Sequence, residues 1–207
     1  MSPNSALQKL RLGNEIYVNG GSSAKLLNCS FKRRRLATDG QNPFAVVVTC
    51  ADSRVPAEAI FHTELGDLFV IRIAGCCVDS SVVASIEYAV SHFQCQVCVV
   101  MSHSQCGAIS AALQSAEDNS ALPSENLSKM LAPLKAAMSV EMSTSPFSSK
   151  AAKMDRMTKL ATFHQIDRLK SESPLISKKE EDGQLRLVPA VYNIDTGNVE
   201  FDLNEVT

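Results

Sequence analysis

A chain of 207 residues is long enough to bury one substantial core and suits a single domain. Twenty lysines and arginines against 22 acids leave a formal charge of −2, which argues against a nucleic acid or other large polyanion as partner. The apolar runs are of strand length, so none spans a membrane, and residues 1–5 lack the charged start and apolar core of a secretory signal. Seven cysteines, an odd number, favour a reducing compartment and metal or catalytic use over a disulfide framework; a cytoplasmic protein is expected.

In chain order, residues 5–18 place Ala6, Leu7, Leu10, Ile16 and Val18 at helical spacing and end at Asn19-Gly20-Gly21. This helix stands apart from the sheet pattern and is expected to cover a neighbouring surface, such as a second subunit. Lys32-Arg33-Arg34-Arg35 reads as a solvated helix face ahead of nuclear targeting or nucleic-acid contact. Residues 46–48 are unbroken valine, the pattern of a parallel strand covered on both faces. Cys50, Asp52 and Arg54 follow at alternate positions. In an extended segment they project to one side and converge at the carboxyl end of the strand, where open α/β sheets place ligands.

Pro56 opens a short helix to His62, Gly66-Asp67 is a turn, and 68–72 is the next strand. In the loop at Ala74-Gly75-Cys76-Cys77 the two cysteines read as small fillers, with a redox pair as the alternative. A helix follows over 80–93. Residues 96–102 form a second buried strand, running into His103-Ser104-Gln105-Cys106-Gly107 and a helix from Ala108. The stretch 121–173 is helical, broken at the serine-rich 143–149. Segments 185–194 and 199–203 flank Asp195-Thr196-Gly197-Asn198, a hairpin signal. The expected fold is α/β: a central, mostly parallel sheet flanked by helices, with an N-terminal helical arm (1–40), a site-bearing core (43–116), a helical segment (121–173) and a C-terminal antiparallel edge hairpin (185–203).

If the two valine-rich strands are neighbours, Cys50, His103 and Cys106 form a set of two thiolates and one imidazole. That set suits zinc and leaves a fourth position open, as catalytic zinc sites do. The plainer alternatives are core cysteines with a capping histidine, and a surface salt bridge between Asp52 and Arg54. His62 reads as an exposed helix histidine, and His92 and His164 as structural or surface residues.

C-x-D-x-R followed by H-x-x-C-G resembles the β-class carbonic anhydrases. Further matches are Gly13-Asn14, Gly40-Gln41-Asn42-Pro43-Phe44, residues 66–72, Ile86-Glu87-Tyr88-Ala89-Val90 and residues 192–197, so the likeness covers most of the chain. The resemblance implies one Zn2+ per chain on Cys50, His103 and Cys106, and reversible hydration of carbon dioxide to bicarbonate by hydroxide held on that zinc. It implies that Arg54 holds Asp52 off the metal, and that Asp52 takes the fourth position only in a closed state. Gln41 would bind substrate across a dimer interface, with Phe69 and Tyr88 lining an apolar pocket for carbon dioxide. A homodimer or dimer-based oligomer is implied, without nucleic acid or membrane partners. The alternatives are a hydrolase for carbonyl sulfide or carbon disulfide, or an inactive zinc protein with Asp52 on the metal. The chain departs from the family at Ile73 and Cys76, where asparagines are common. It also has no tryptophan, which argues against a non-catalytic bicarbonate pocket.

Overall fold

The computed structural model describes residues 1–144 and 146–203. Five strands make one sheet in the order β2-β1-β3-β4-β5: β1 Ala45–Thr49, β2 Leu68–Arg72, β3 Val97–His103, β4 Arg186–Tyr192 and β5 Val199–Phe201. The first four run parallel, and β5 pairs antiparallel with β4 through the expected hairpin. The helices are α1 Pro3–Val18, α2 Ala24–Leu27, α3 Ser30–Asp39, α4 Ala57–Ile60, α5 Ser80–His92, α6 Gly107–Asp118, α7 Glu125–Thr144, α8 Lys150–Glu172 and α9 Pro174–Glu181.

Alternation along β1 divides the core. Ala45 and Val47 pack with Leu10, Phe61 and Met101 on one face. Val46 and Val48 pack with Ile86, Val90 and Leu169, from α5 and α8, on the other. A parallel strand covered on both faces is apolar nearly throughout, and all five residues of β1 are buried, with only Thr49 polar. A third cluster joins α6, α7 and α8 and reaches Cys50 and Cys106, so the candidate site has a packed wall behind it.

The N-terminal helix does cover a neighbouring surface, part of it belonging to this chain, while Leu12, Ile16 and Val18 stay exposed. Ala6, Leu7 and Leu10 are buried against this chain's own sheet. The buried Asn14 locks that placement, donating to the carbonyls of Ile60 (3.2 Å) and Gly197 (2.9 Å) and accepting from the Val199 N–H (2.8 Å). Gly13 lets the helix come this close, since a Cβ there would stand 1.8 Å from the Phe61 carbonyl oxygen. Helix propensity alone makes Gly13→Ala stabilising by about 1 kcal/mol. Backbone overlap reverses the sign, and we expect a net loss of about 1–3 kcal/mol, read as a lower midpoint in denaturant unfolding. An unchanged or raised midpoint would show that α1 does not press on Phe61.

The basic run lies on α3, which buries none of its residues. Lys32 pairs with Glu64 and Asp67, and Arg35 with Asp39. The break between α7 and α8 falls within the serine-rich segment, where Ser149 caps α8; Ser145 of that segment lies outside the described residues. Helix α9 was not anticipated, although its signal is present: Ser173 accepts from the Ile176 N–H and Pro174 takes the first helical position. Among the described residues no helix is long and apolar enough to cross a membrane.

Candidate metal centre and active site

The site forms where β1 and β3 end side by side. Their register pairs Thr49 with Met101, and the Thr49 hydroxyl also donates to the Met101 carbonyl at 3.0 Å. Cys50 therefore emerges next to the last residues of β3, of which His103 is the final one. Three residues later Cys106 stands at the N-cap of α6, where the helix dipole favours a thiolate. The Cys50 and Cys106 sulfurs are 4.0 Å apart, and one ligand atom from each of Cys50, His103 and Cys106 lies within 4.8 Å of the others. All three residues are buried.

Local hydrogen bonds prepare each donor. His103 Nδ1 lies 2.8 Å from the Ser104 carbonyl, which can only accept, so Nδ1 carries the proton and Nε2 keeps its lone pair. That Nε2 is buried without a hydrogen-bond partner among the described residues, an arrangement that costs free energy unless something electron-deficient meets it. Cys50 Sγ accepts from the N–H groups of Asp52 and Gly75, both at 3.4 Å. Gly75 is left-handed (φ 66°), and a Cβ there would press on Ala108 at 3.1 Å, so glycine is what brings this N–H to the sulfur.

The two thiols lie within reach of an S–H···S hydrogen bond, 4.0 Å apart. The hydrogen bond with Cys106 is the largest influence drawing Cys50 well below the usual thiol range; burial opposes, and the two backbone N–H groups assist. The same contact, with burial, pushes Cys106 up. Two adjacent buried thiolates repel each other unless a cation lies between them. A partnerless imidazole nitrogen, a ready thiolate and a second thiol one proton from ionisation fit a divalent, thiophilic metal such as zinc.

Beside the triad, Arg54 grips Asp52 with two prongs, Nε to Oδ1 at 3.0 Å and Nη2 to Oδ2 at 2.7 Å, and its backbone N–H adds a bond to Oδ1 at 2.9 Å. These bonds, the side-chain ones foremost, hold the Asp52 carboxyl well below the usual carboxylate range. Asp52 Oδ2 stands 3.8 Å from His103 Nε2, so the carboxylate faces the triad. The expected convergence of residues 50, 52 and 54 is present, but its cause differs from the one expected. The chain turns at Ser53-Arg54, with Val55 N–H bonded to the Asp52 carbonyl at 3.1 Å, so Arg54 meets Asp52 through a local turn instead of strand alternation.

Arg72, by sequence a strand residue, also braces the site. From the end of β2, paired with Thr49, it donates to the carbonyls of Cys50 (3.2 Å) and Asp52 (2.5 Å). An arginine ending the strand beside β1 was the available signal. Cys76 and Cys77 are buried, with burial pushing both thiols up, Cys77 to about 11; the Cys76 thiol donates to the Met101 carbonyl at 3.0 Å. This supports small fillers and not a redox pair. His62 is partly covered, 3.3 Å from the Ser23 hydroxyl.

Within one chain, Gln41, Phe69 and Tyr88 do not join this group. Gln41 is exposed and precedes β1, at the opposite end of the strand from Cys50. Phe69 lies three positions before Arg72 on the edge strand β2, about 10 Å along it. Its ring neighbours are Tyr88 and Phe93, and Tyr88 is 51% exposed.

A family model described as carbonic anhydrase matches residues 45–199. Carbonic anhydrase 2 of Mycobacterium tuberculosis is 35% identical over 202 residues, covering 95% of this chain and 91% of that protein. The carbonic anhydrase of Mycolicibacterium smegmatis is 32% identical, covering 99% and 98%. Among solved structures, one of two tetrameric β-carbonic anhydrases from Sordaria macrospora superposes with a TM-score of 0.72 at 25% identity, over 82% of this chain and 84% of that one. With the family model spanning β1 to β4 and the Cys50–His103–Cys106 cluster, the chain belongs to the β-carbonic anhydrase family and is a carbonic anhydrase, an enzyme whose general reaction is hydration of carbon dioxide.

Proposed function

We propose that this chain binds one Zn2+ through Cys50 Sγ, His103 Nε2 and Cys106 Sγ and interconverts carbon dioxide with bicarbonate and a proton. The observation that carries this reading is the buried His103 Nε2, which has no hydrogen-bond partner among the described residues and clusters with two thiols whose sulfurs are 4.0 Å apart. Bound there, zinc supplies a Lewis acid that makes hydroxide available near neutral pH.

The remaining work falls to the protein. Asp52, kept ionised by Arg54, is an acceptor only, so it favours a hydroxyl group beside the triad and disfavours a bare anion. Arg54 keeps both carboxylate oxygens engaged and so keeps Asp52 from becoming a ligand itself; that supports an active enzyme over a protein blocked by its own carboxylate. Gln41 binds substrate from across a dimer interface, and Phe69 with Tyr88 lines an apolar pocket for carbon dioxide. Gln41 is exposed just before β1, Phe69 lies on edge strand β2 and the half-exposed Tyr88 lies on α5; this arrangement supports a homodimer or dimer-based oligomer, and the Sordaria macrospora relative is tetrameric. All seven cysteines are free thiols, consistent with a reducing, cytoplasmic setting.

Stopped-flow carbon dioxide hydration on metal-quantified protein tests the proposal. Rapid turnover by the zinc-loaded chain is expected. Stoichiometric zinc without hydration would overturn it and make carbonyl sulfide the next substrate to try.

A further inference from the structure

Asp52 is oriented by Arg54, and Arg54 has a further anchor. The Nη2 that donates to Asp52 Oδ2 at 2.7 Å also donates to the backbone carbonyl of Gln105 at 3.3 Å. Gln105 sits between two triad residues, His103 and Cys106, and its backbone is left-handed (φ 58°), a conformation that few non-glycine residues hold without support. The support comes from its side chain, whose Nε2 donates to Asp195, 3.2 Å from Oδ2 and 3.5 Å from Oδ1.

Asp195 is well placed to act as a post. It lies in the β4–β5 turn, with its N–H bonded to Asn193 Oδ1 at 2.9 Å. The turn is pinned to α1 by Asn14 and to the His103–Cys106 loop by the Ile194 N–H donating to the Ser104 hydroxyl at 3.0 Å. No element of the turn reaches Asp52 directly. The connection runs from Asp195 to the Gln105 amide, through the Gln105 peptide to Arg54, and from Arg54 to the carboxylate.

We infer that Asp195 and Gln105 are positioning residues for the Asp52–Arg54 pair, so that the C-terminal hairpin sets the aim of the catalytic carboxylate. The inference rests on the proposed role of Asp52 in hydration. Removing the Asp195 acceptor frees the Gln105 amide, lets its strained peptide relax and withdraws the carbonyl from Arg54. Asp52 then samples orientations away from the productive one while the ligand set stays intact.

A double-mutant cycle separates this relay from general loosening of the turn. Asp195→Ala and Gln105→Ala should each slow zinc-normalised hydration about three- to tenfold, the size of one net hydrogen bond. The double variant should be no slower than either single one. Asp195→Asn, whose side-chain oxygen still accepts, should recover most of the loss. A readout independent of turnover is hydrogen exchange at the Arg54 Nε–H in 15N-arginine-labelled protein, assigned by its disappearance in Arg54→Lys. Exchange should quicken in Asp195→Ala and return in Asp195→Asn. Losses that multiply in the double variant, or an Arg54 exchange rate unmoved by Asp195→Ala, would overturn the relay. If the wild-type, zinc-loaded chain fails to hydrate carbon dioxide, the proposed function fails by itself, and the exchange rates still decide whether Asp195 holds Arg54.

Discussion

Cys106→Ser should abolish zinc retention and carbon dioxide hydration together while leaving the fold in place. Serine at an N-cap is among the best residues for starting a helix, and Cys106 is the N-cap of α6. The substitution therefore leaves α6 well capped and isolates the loss of the sulfur ligand. A neutral hydroxyl is a far poorer zinc donor than a thiolate. Changes to groups that merely orient ligands already cost about 10–100-fold in metal affinity or activity, so losing a ligand should exceed about 100-fold. The 4.0 Å spacing of the two sulfurs sharpens the expectation, because two buried thiolates this close repel each other unless a cation lies between them. Zinc per chain and circular dichroism, measured on the same sample, check it: metal lost with the spectrum unchanged is the expected pattern. Full zinc content in the serine variant would remove Cys106 from the ligand set.

Asp52→Ala should show the opposite pattern, with zinc kept and turnover lost. The carboxylate is not one of the three converging ligands, but it faces them at 3.8 Å from His103 Nε2. Removing a positioned proton acceptor typically costs about 10²–10⁴-fold, which sets the expected fall in kcat. Arg54→Ala should cost a similar amount by a different route, because it leaves Asp52 free to swing toward the triad. The pH dependence follows from the same contact. The folded-state pKa of Asp52 is depressed by Arg54, so the stability contributed by the pair is present above the unfolded value of about 4 and is lost only as pH falls through the lower folded value. The pair thus survives mildly acid conditions, and any loss of hydration there reflects the metal site and not protonation of Asp52. Unchanged turnover in Asp52→Ala would remove the residue from the mechanism.

The parts of this molecule that were legible in the sequence are those where one local pattern has one physical meaning. Unbroken valines at 46–48 favour a strand with both faces covered, and they pack into core clusters on opposite faces of the sheet. A strand ending in Cys50 and another ending in His103 beside Cys106 needed only to be neighbours, and β1 and β3 are. The missing parts depend on packing at long range. The arm at residues 3–18 has an apolar stripe of the right period, but nothing local says whose surface it meets; Gly13 and Asn14 decide that by fitting Phe61 and the C-terminal turn. Arg72 and Gln105 act through backbone carbonyls brought near by the sheet, a relation that residue spacing does not reveal. Gln41, Phe69 and Tyr88 lie away from the triad in the single chain, so their roles rest on an assembly.

The most direct test of the account is zinc titration of metal-free protein with hydration measured at every point. Activity that rises in proportion to bound zinc and stops at a single equivalent per chain, with Cys106→Ser flat throughout, is the predicted result. Hydration that persists without metal, or a single equivalent taken up with no hydration, would contradict it.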